Sequence, residues 1–139
     1  NSGRMKRAKT AGRKKGEYDA ALQHHRRAIE IYERRIGDGP EPPELAHLLV
    51  NFGECQLAKG THDDALVTFE RALVMLERRR AEDSELAGVR FAIARTLHAA
   101  GREPLRAKSL AQLAKEGFSQ ASGGKVNARE VERWIDALE

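Results

Sequence analysis

Two helical patterns and the turn between them lie in residues 45–76, LAHLLVNFGECQLAKGTHDDALVTFERALVML. Apolar residues in each half recur at steps that place them on one side of an α-helix. These residues are Leu45, Leu48, Leu49, Phe52 and Leu57 in the first half, and Ala65, Leu66, Phe69, Ala72, Leu73 and Leu76 in the second. Gly60 is suited to ending the first helix, and Thr61 is suited to capping the next one. The stretch therefore predicts an antiparallel helical hairpin.

Small and aromatic residues recur at matching places along the chain. The hairpin has them at Gly53, Gly60, Ala65, Phe69 and Ala72. Similar sets occur on both sides of it, namely Gly16, Tyr18, Ala21 and Ala28, and, more loosely, Gly101, Ala107, Ala111 and Ala114. This arrangement resembles the tetratricopeptide repeat. The resemblance implies an α-solenoid whose first helices line a concave face that commonly receives a peptide or a helix.

The spacing of the repeats is longer than usual. The turn glycines Gly16, Gly60 and Gly101 are 44 and 41 residues apart, whereas the tetratricopeptide period is about 34 residues. The long period and the link GDGPEPPELA at 37–46 resemble the repeats of kinesin light chain and of many bacterial regulators. We predict an all-α fold, an α-solenoid of about three helical hairpins with a C-terminal capping helix.

We expect this solenoid to be one domain that spans residues 1–139. Its predicted parts are repeat one at 4–36, repeat two at 43–80, repeat three at 83–117 and a capping helix at 127–138. In repeat one, the spacing predicts a helix from Arg4 to Lys14, a turn at Gly16 and a second helix from Glu17 to Ile36. The capping helix contains the only tryptophan, Trp134, and we expect it to cover the apolar flank of repeat three.

Composition excludes several classes of protein. Charged residues make up 33% of the chain, and no apolar run approaches the roughly 18 residues needed to cross a membrane. The single cysteine, Cys55, excludes an intramolecular disulfide and a cysteine-based zinc site. These features favour a cytoplasmic protein with no membrane association. The chain begins Asn-Ser-Gly, which suggests a piece of a longer protein.

No pattern of catalytic or metal-binding residues is present in the sequence. The five histidines form no H-x-x-x-H pair, and no serine lies in a G-x-S-x-G motif. Cys55 lies in the middle of a predicted helix, where a structural thiol is the simpler interpretation. The GGK at 123–125 lacks the spacing and the preceding strand of a phosphate-binding loop. We therefore predict a protein that is not an enzyme and holds no metal or cofactor.

The family resemblance implies a binding groove for a protein or peptide partner. The groove residues that it implies are His47, Val50, Asn51, Glu54, Phe91, Arg95 and His98, with Gly88 and Ala92 beside them and Lys6, Arg7 and Thr10 added by repeat one. Asn51 matches a position that often holds a ligand backbone by its amide, and we expect Phe91 to be exposed. Alternatively, Phe91 and Val50 only pack between adjacent helices. The carboxylate clamp of chaperone-binding relatives is incomplete, because Thr10, Gly88 and Ala92 replace its polar positions.

The first 15 residues carry seven basic side chains and no acidic one, namely Arg4, Lys6, Arg7, Lys9, Arg13, Lys14 and Lys15. One hypothesis is a basic arm that binds nucleic acid or another anionic partner, as in a transcriptional regulator. Another is a solvated first helix whose covering repeat is missing. A third is self-association into a homo-oligomer through the incomplete first repeat. The segment contains no aromatic residue for base stacking, so any binding to nucleic acid should be nonspecific.

Residues 90–138 show a second resemblance. RFAIARTLHAAGREPLRAKSLAQLAKEGF at 90–118, followed by EVERWIDAL at 130–138, resembles the end of the repeat region attached to bacterial serine/threonine protein kinases. The kinase's own motifs are absent from this sequence. The resemblance implies a recruiting or regulatory module of a larger signalling protein.

Overall fold

The computed structural model describes residues 2–138, and the side chains of residues 14–138. This part of the chain consists of α-helices with no strand. The helices are α1 (Ser2–Ile36), α2 (Pro43–Lys59), α3 (His62–Arg78), α4 (Asp83–Ala99), α5 (Pro104–Gln120) and α6 (Lys125–Ala137). Each helix packs against the next one along the chain. The prediction of an all-α solenoid of hairpins is therefore confirmed.

Gly60 ends α2, and Gly101 lies in the turn after α4, as predicted. Gly60 has φ +93° and Gly101 has φ +65°, conformations that only glycine adopts without strain. Thr61 does not cap α3 as expected. Its hydroxyl instead donates a hydrogen bond to the carbonyl oxygen of Gln56 at 2.9 Å. The hydroxyl thus satisfies a carbonyl at the end of α2, so the capping prediction for Thr61 is wrong.

The first helix differs from the prediction. α1 runs through Gly16 as one helix of 35 residues, so the expected hairpin in repeat one is wrong. A glycine inside a helix costs about 1 kcal/mol relative to alanine, and no proline or second glycine adjoins Gly16 to add to that cost. The segment from Arg4 to Lys14 also has few apolar residues to bury by folding back. α1 is therefore about 52 Å long, twice the roughly 26 Å of α2.

Small side chains let the helices approach one another closely. Ala65 and Ala72 of α3 are completely buried, as the sequence pattern predicts. α4 and α5 pack in the same way, through buried alanines at Ala87, Ala92, Ala94, Ala107, Ala111 and Ala114. At the far end, α6 packs on α5 through the buried side chains of Ala128 and Val131. The core is thus a continuous layer between neighbouring helices rather than one centre.

Ion pairs connect the successive units across their surfaces. They join Asp19 to Lys59, Glu33 to Arg71, Glu54 to Arg95, Asp63 to Arg102 and Glu70 to Arg106. In each of these pairs the acid belongs to the earlier unit and the base to the later one. The pair of Arg79 and Glu85, where α3 meets α4, and the pair of Lys115 and Glu132, between α5 and α6, have the opposite order. All these side chains are partly exposed, so each pair contributes at most about 1 kcal/mol, and the main effect is on register.

Candidate protein-interaction site

The residues predicted for the groove lie on the first helices of the two complete hairpins. His47, Val50, Asn51 and Glu54 follow one another on α2 at steps of three and four, and Phe91, Arg95 and His98 do so on α4. These steps place each set on one side of its helix. We call the surface formed by these seven residues, together with Trp134 of α6, the inner face.

Arg95 and Glu54 join α2 to α4 at this face. Nη2 of Arg95 donates a hydrogen bond to Oε1 of Glu54 at 2.8 Å. The guanidinium also lies over the ring of Phe91, 5.0 Å from its centroid, which is within the range of a cation–π contact. Arg95 is therefore held from two directions. Its Nε atom is buried and has no hydrogen-bond partner among the described residues.

Phe91 is buried rather than exposed. Only 8% of its surface is accessible, so the expectation that it lies on an open face is wrong. Trp134 and Arg95 both cover it, and the ring of Trp134 meets Phe91 edge to face with the centroids 5.5 Å apart. Trp134 makes a similar contact with His98, also at 5.5 Å. Such aromatic pairs contribute about 0.5–1.5 kcal/mol beyond burial, and this cluster ties α6 to α4.

The sequence does not predict that Trp134 belongs to the inner face. The sequence marks it as the only tryptophan, on an amphipathic terminal helix, and predicts a covering role. Its contact with α4 depends on how α6 turns after Gly123 and Gly124, which no local pattern specifies. Its side chain is only partly buried, so it also contributes surface to the inner face.

The exposed part of the inner face is mainly polar, and the partly exposed ring of Trp134 adds an aromatic edge. His47, Asn51 and His98 are exposed, whereas Val50 is half-buried and packs against the core. No described side chain hydrogen-bonds the amide of Asn51. The structure thus presents an accessible amide on the same side of α2 as a fixed ion pair.

Cys55 adjoins this face on α2. Burial raises the pKa of its thiol, and the neighbouring carboxylate of Glu54 raises it further. A raised pKa lowers the thiolate fraction near neutral pH, and the thiolate is the nucleophilic form. This environment fits a structural thiol.

Most of the basic N-terminal patch lies outside the described side chains. Lys14 and Lys15 are exposed. The side chains of Arg4, Lys6, Arg7, Lys9 and Arg13, and that of Thr10, belong to the part of α1 for which no side chain is described. Their relation to the inner face therefore stays a prediction.

No group of three or more histidine, cysteine, aspartate or glutamate side chains among the described residues has the arrangement of a metal site. None of the helices in the described part of the chain is both long enough and apolar enough to span a membrane.

The fold and the inner face define a helical-repeat protein built from stacked antiparallel hairpins. A family model described as Tetratricopeptide repeat matches residues 5–78, which is more than half of the chain. The chain belongs to the tetratricopeptide repeat family. A search of curated proteins found no match. Tetratricopeptide repeats are in general protein–protein interaction modules on non-enzymatic scaffolds, and proteins of the family generally bind protein partners.

Proposed function

We propose that this chain is an interaction scaffold that binds a peptide or a helical segment along the inner face. The face combines an exposed amide, an ion pair and the accessible edge of an aromatic cluster within one wall of α2, α4 and α6. This mixture suits a peptide, whose backbone needs hydrogen-bonding groups and whose side chains need apolar surface.

The mechanism is preorganisation. Arg95 is held by Glu54 and Phe91, and Trp134 is held by Phe91 and His98. Side chains that are already ordered lose little conformational entropy when a ligand binds, so more of the contact energy appears as affinity.

The proposal rests mainly on the exposed amide of Asn51. An amide both donates and accepts hydrogen bonds, as does a peptide backbone, so one side chain can hold an extended or helical ligand in register. Asn51 makes no hydrogen bond with any described side chain, and its exposure indicates that the fold does not depend on it.

For the test, peptides that bind the full chain are selected from a displayed library of random sequences. Their affinities for the wild type and for each variant are then measured. We expect Asn51→Ala to weaken the binding of the selected peptides about five- to thirtyfold, which corresponds to the loss of about one to two kcal/mol for a hydrogen bond to a peptide. The free energy of unfolding should change by less than about 0.5 kcal/mol. Asn127→Ala is the matched control, because Asn127 is an exposed amide on α6. It should alter neither quantity.

Two results would contradict the proposal. Selected peptides that bind both variants as tightly as the wild type would place the site elsewhere. A large loss of stability in Asn51→Ala would make Asn51 a structural residue.

We further propose that the scaffold recruits partners for a larger signalling protein. The resemblance of residues 90–138 to the repeat region of bacterial serine/threonine kinases supports this role. The test is the sequence of the complete gene, because a kinase domain in the same reading frame is the expected result.

The basic segment at residues 1–15 favours a second candidate function, the binding of an anionic partner such as nucleic acid. Binding of this kind should be nonspecific and should weaken steeply with salt. A titration of labelled DNA at low and moderate salt measures it. No binding at low salt would remove this candidate.

A further inference from the structure

The second half of α1 and the second half of α3 share one sequence pattern. Residues 27–35 are RAIEIYERR and residues 71–79 are RALVMLERR, identical at five positions. The two stretches are 44 residues apart, as are Gly16 and Gly60. Each side chain on this part of α1 therefore has a counterpart on α3.

On α3 these side chains have acidic and proline residues beside them, from the end of α1 and from the link at residues 37–43. Arg71 pairs with Glu33 at 2.9 Å. Met75 and Arg78 line a cavity of about 320 Å³ with the link that follows α1, including Pro40, Glu41 and Pro42. Met75 is only 8% exposed, whereas Arg71 and Arg78 stay exposed.

On α1 the counterparts lie open. Ile31 corresponds to Met75 but is 41% exposed. Arg27 and Arg34 correspond to Arg71 and Arg78, and neither has an ion-pair partner among the described residues. Together with Gln23, Arg26 and Glu30, these three residues line an open cleft of about 380 Å³. We call it the α1 cleft.

The charge of the α1 cleft indicates what fits it. Three arginines face one glutamate, so the cleft attracts carboxylates. Two α1 clefts do not fit against each other, because their arginines would meet. The basic segment at residues 1–15 is unsuitable for the same reason.

We propose that the α1 cleft is a docking surface for an acidic, proline-containing segment of a partner protein. Carboxylates of that segment pair with Arg27 and Arg34, and an apolar residue covers Ile31. The interface repeats the chemistry by which Glu33 and the link at residues 37–43 cover α3. This surface is separate from the inner face and does not depend on the function proposed for it.

The probe is a synthetic peptide of residues 30–46, EIYERRIGDGPEPPELA, which contains the segment that covers α3. It is added at millimolar concentration to the full chain labelled with ¹⁵N, and amide shifts are followed. We expect shift changes centred on residues 23–34 that saturate and that diminish with added salt. Arg27→Glu should weaken binding about three- to tenfold, as expected for a partly exposed charged contact.

Two controls separate this interaction from nonspecific attraction. The first is the same peptide with its counterparts of Glu33, Asp38 and Glu41 changed to amides, which should bind more weakly. The second is Arg129→Glu, a charge reversal at an exposed residue of α6, which should leave binding unchanged. Circular dichroism verifies that both protein variants are folded.

Four results would overturn the proposal. The first is that the amide peptide causes the same shifts as the acidic peptide, and the second is that millimolar peptide causes no shifts in α1. The third is that the shifts are centred on Met75 and Arg78. The fourth is that shifts in α1 depend on protein concentration in the absence of peptide. The third would show that the peptide only displaces the native link. The fourth would show that a second copy occupies the cleft.

Discussion

Gly53 of α2 and Phe69 of α3 meet so closely that a Cβ atom at position 53 would lie 2.6 Å from Cε1 of Phe69. The ring of Phe69 is completely buried, and its planar edge occupies the space that a side chain on α2 would need. This contact sets the separation of the two helices in the central hairpin.

Gly53→Ala should therefore destabilise the protein by about 1–3 kcal/mol, because either the ring or the helix must move. The measurement is denaturant unfolding followed by circular dichroism. The matched control is Gly88→Ala, since Gly88 is also helical but has open space around its Cβ position. We expect the control to stabilise the protein by up to about 1 kcal/mol. Equal effects of the two substitutions would mean that the contact with Phe69 does not limit the packing.

Gly16→Ala provides a test of the continuous first helix. Because Gly16 is helical and unobstructed, alanine should raise the helix content and stabilise α1 by up to about 1 kcal/mol. Gly60→Ala is the comparison, and it should cost at least about 1 kcal/mol because Gly60 has φ +93°. Circular dichroism and thermal unfolding measure both. A loss of stability in Gly16→Ala would indicate a turn at this position after all.

The different outcomes at these glycines show what the sequence could predict. Gly60 and Gly101 end helices because the following residues begin a helix that packs back on the preceding one, and both halves carry apolar stripes. Gly16 has the same spacing to the residues after it, but the residues before it offer little apolar surface. A turn signal thus produces a hairpin only where tertiary packing compensates for the broken helix.

The inner face was predictable only in part. The steps of three and four residues on α2 and α4 were sufficient to bring Glu54 and Arg95 to one surface. The burial of Phe91 was not predictable, because it depends on Trp134, which is 43 residues away in sequence. Local periodicity identifies the side of a helix but does not identify the neighbour that covers it.

A double-mutant cycle on Glu54 and Arg95 should show a small coupling. The pair is partly exposed, so we expect about 0.2–1 kcal/mol from Glu54→Gln, Arg95→Gln and the double variant, decreasing with salt. Arg95→Gln alone should cost more than Glu54→Gln, because it also removes the contact with the ring of Phe91. A coupling of several kcal/mol would indicate that the pair is a principal source of stability instead of a means of setting register.

The thiol of Cys55 should respond to pH in a predictable direction. Because its pKa is raised in the folded protein, alkylation by iodoacetamide should reach its half-maximal rate at a higher pH than in the unfolded chain. The unfolded thiol ionises first, so stability should fall slightly as pH rises above the unfolded pKa. Cys55→Ala should abolish this part of the pH dependence. Identical alkylation profiles for the folded and the unfolded chain would contradict the assigned shift.

Most of the ion pairs between units have the same order of charges. Asp19, Glu33, Glu54 and Glu70 each meet a base that comes later in the chain. Glu54 and Arg95 each lie six residues before the turn glycine of their hairpin, so two copies of one hairpin would oppose like charges at this position. Lengthening the array by duplication would therefore require a change of charge at this position, and the pair of Glu54 and Arg95 favours the order in which the two hairpins occur.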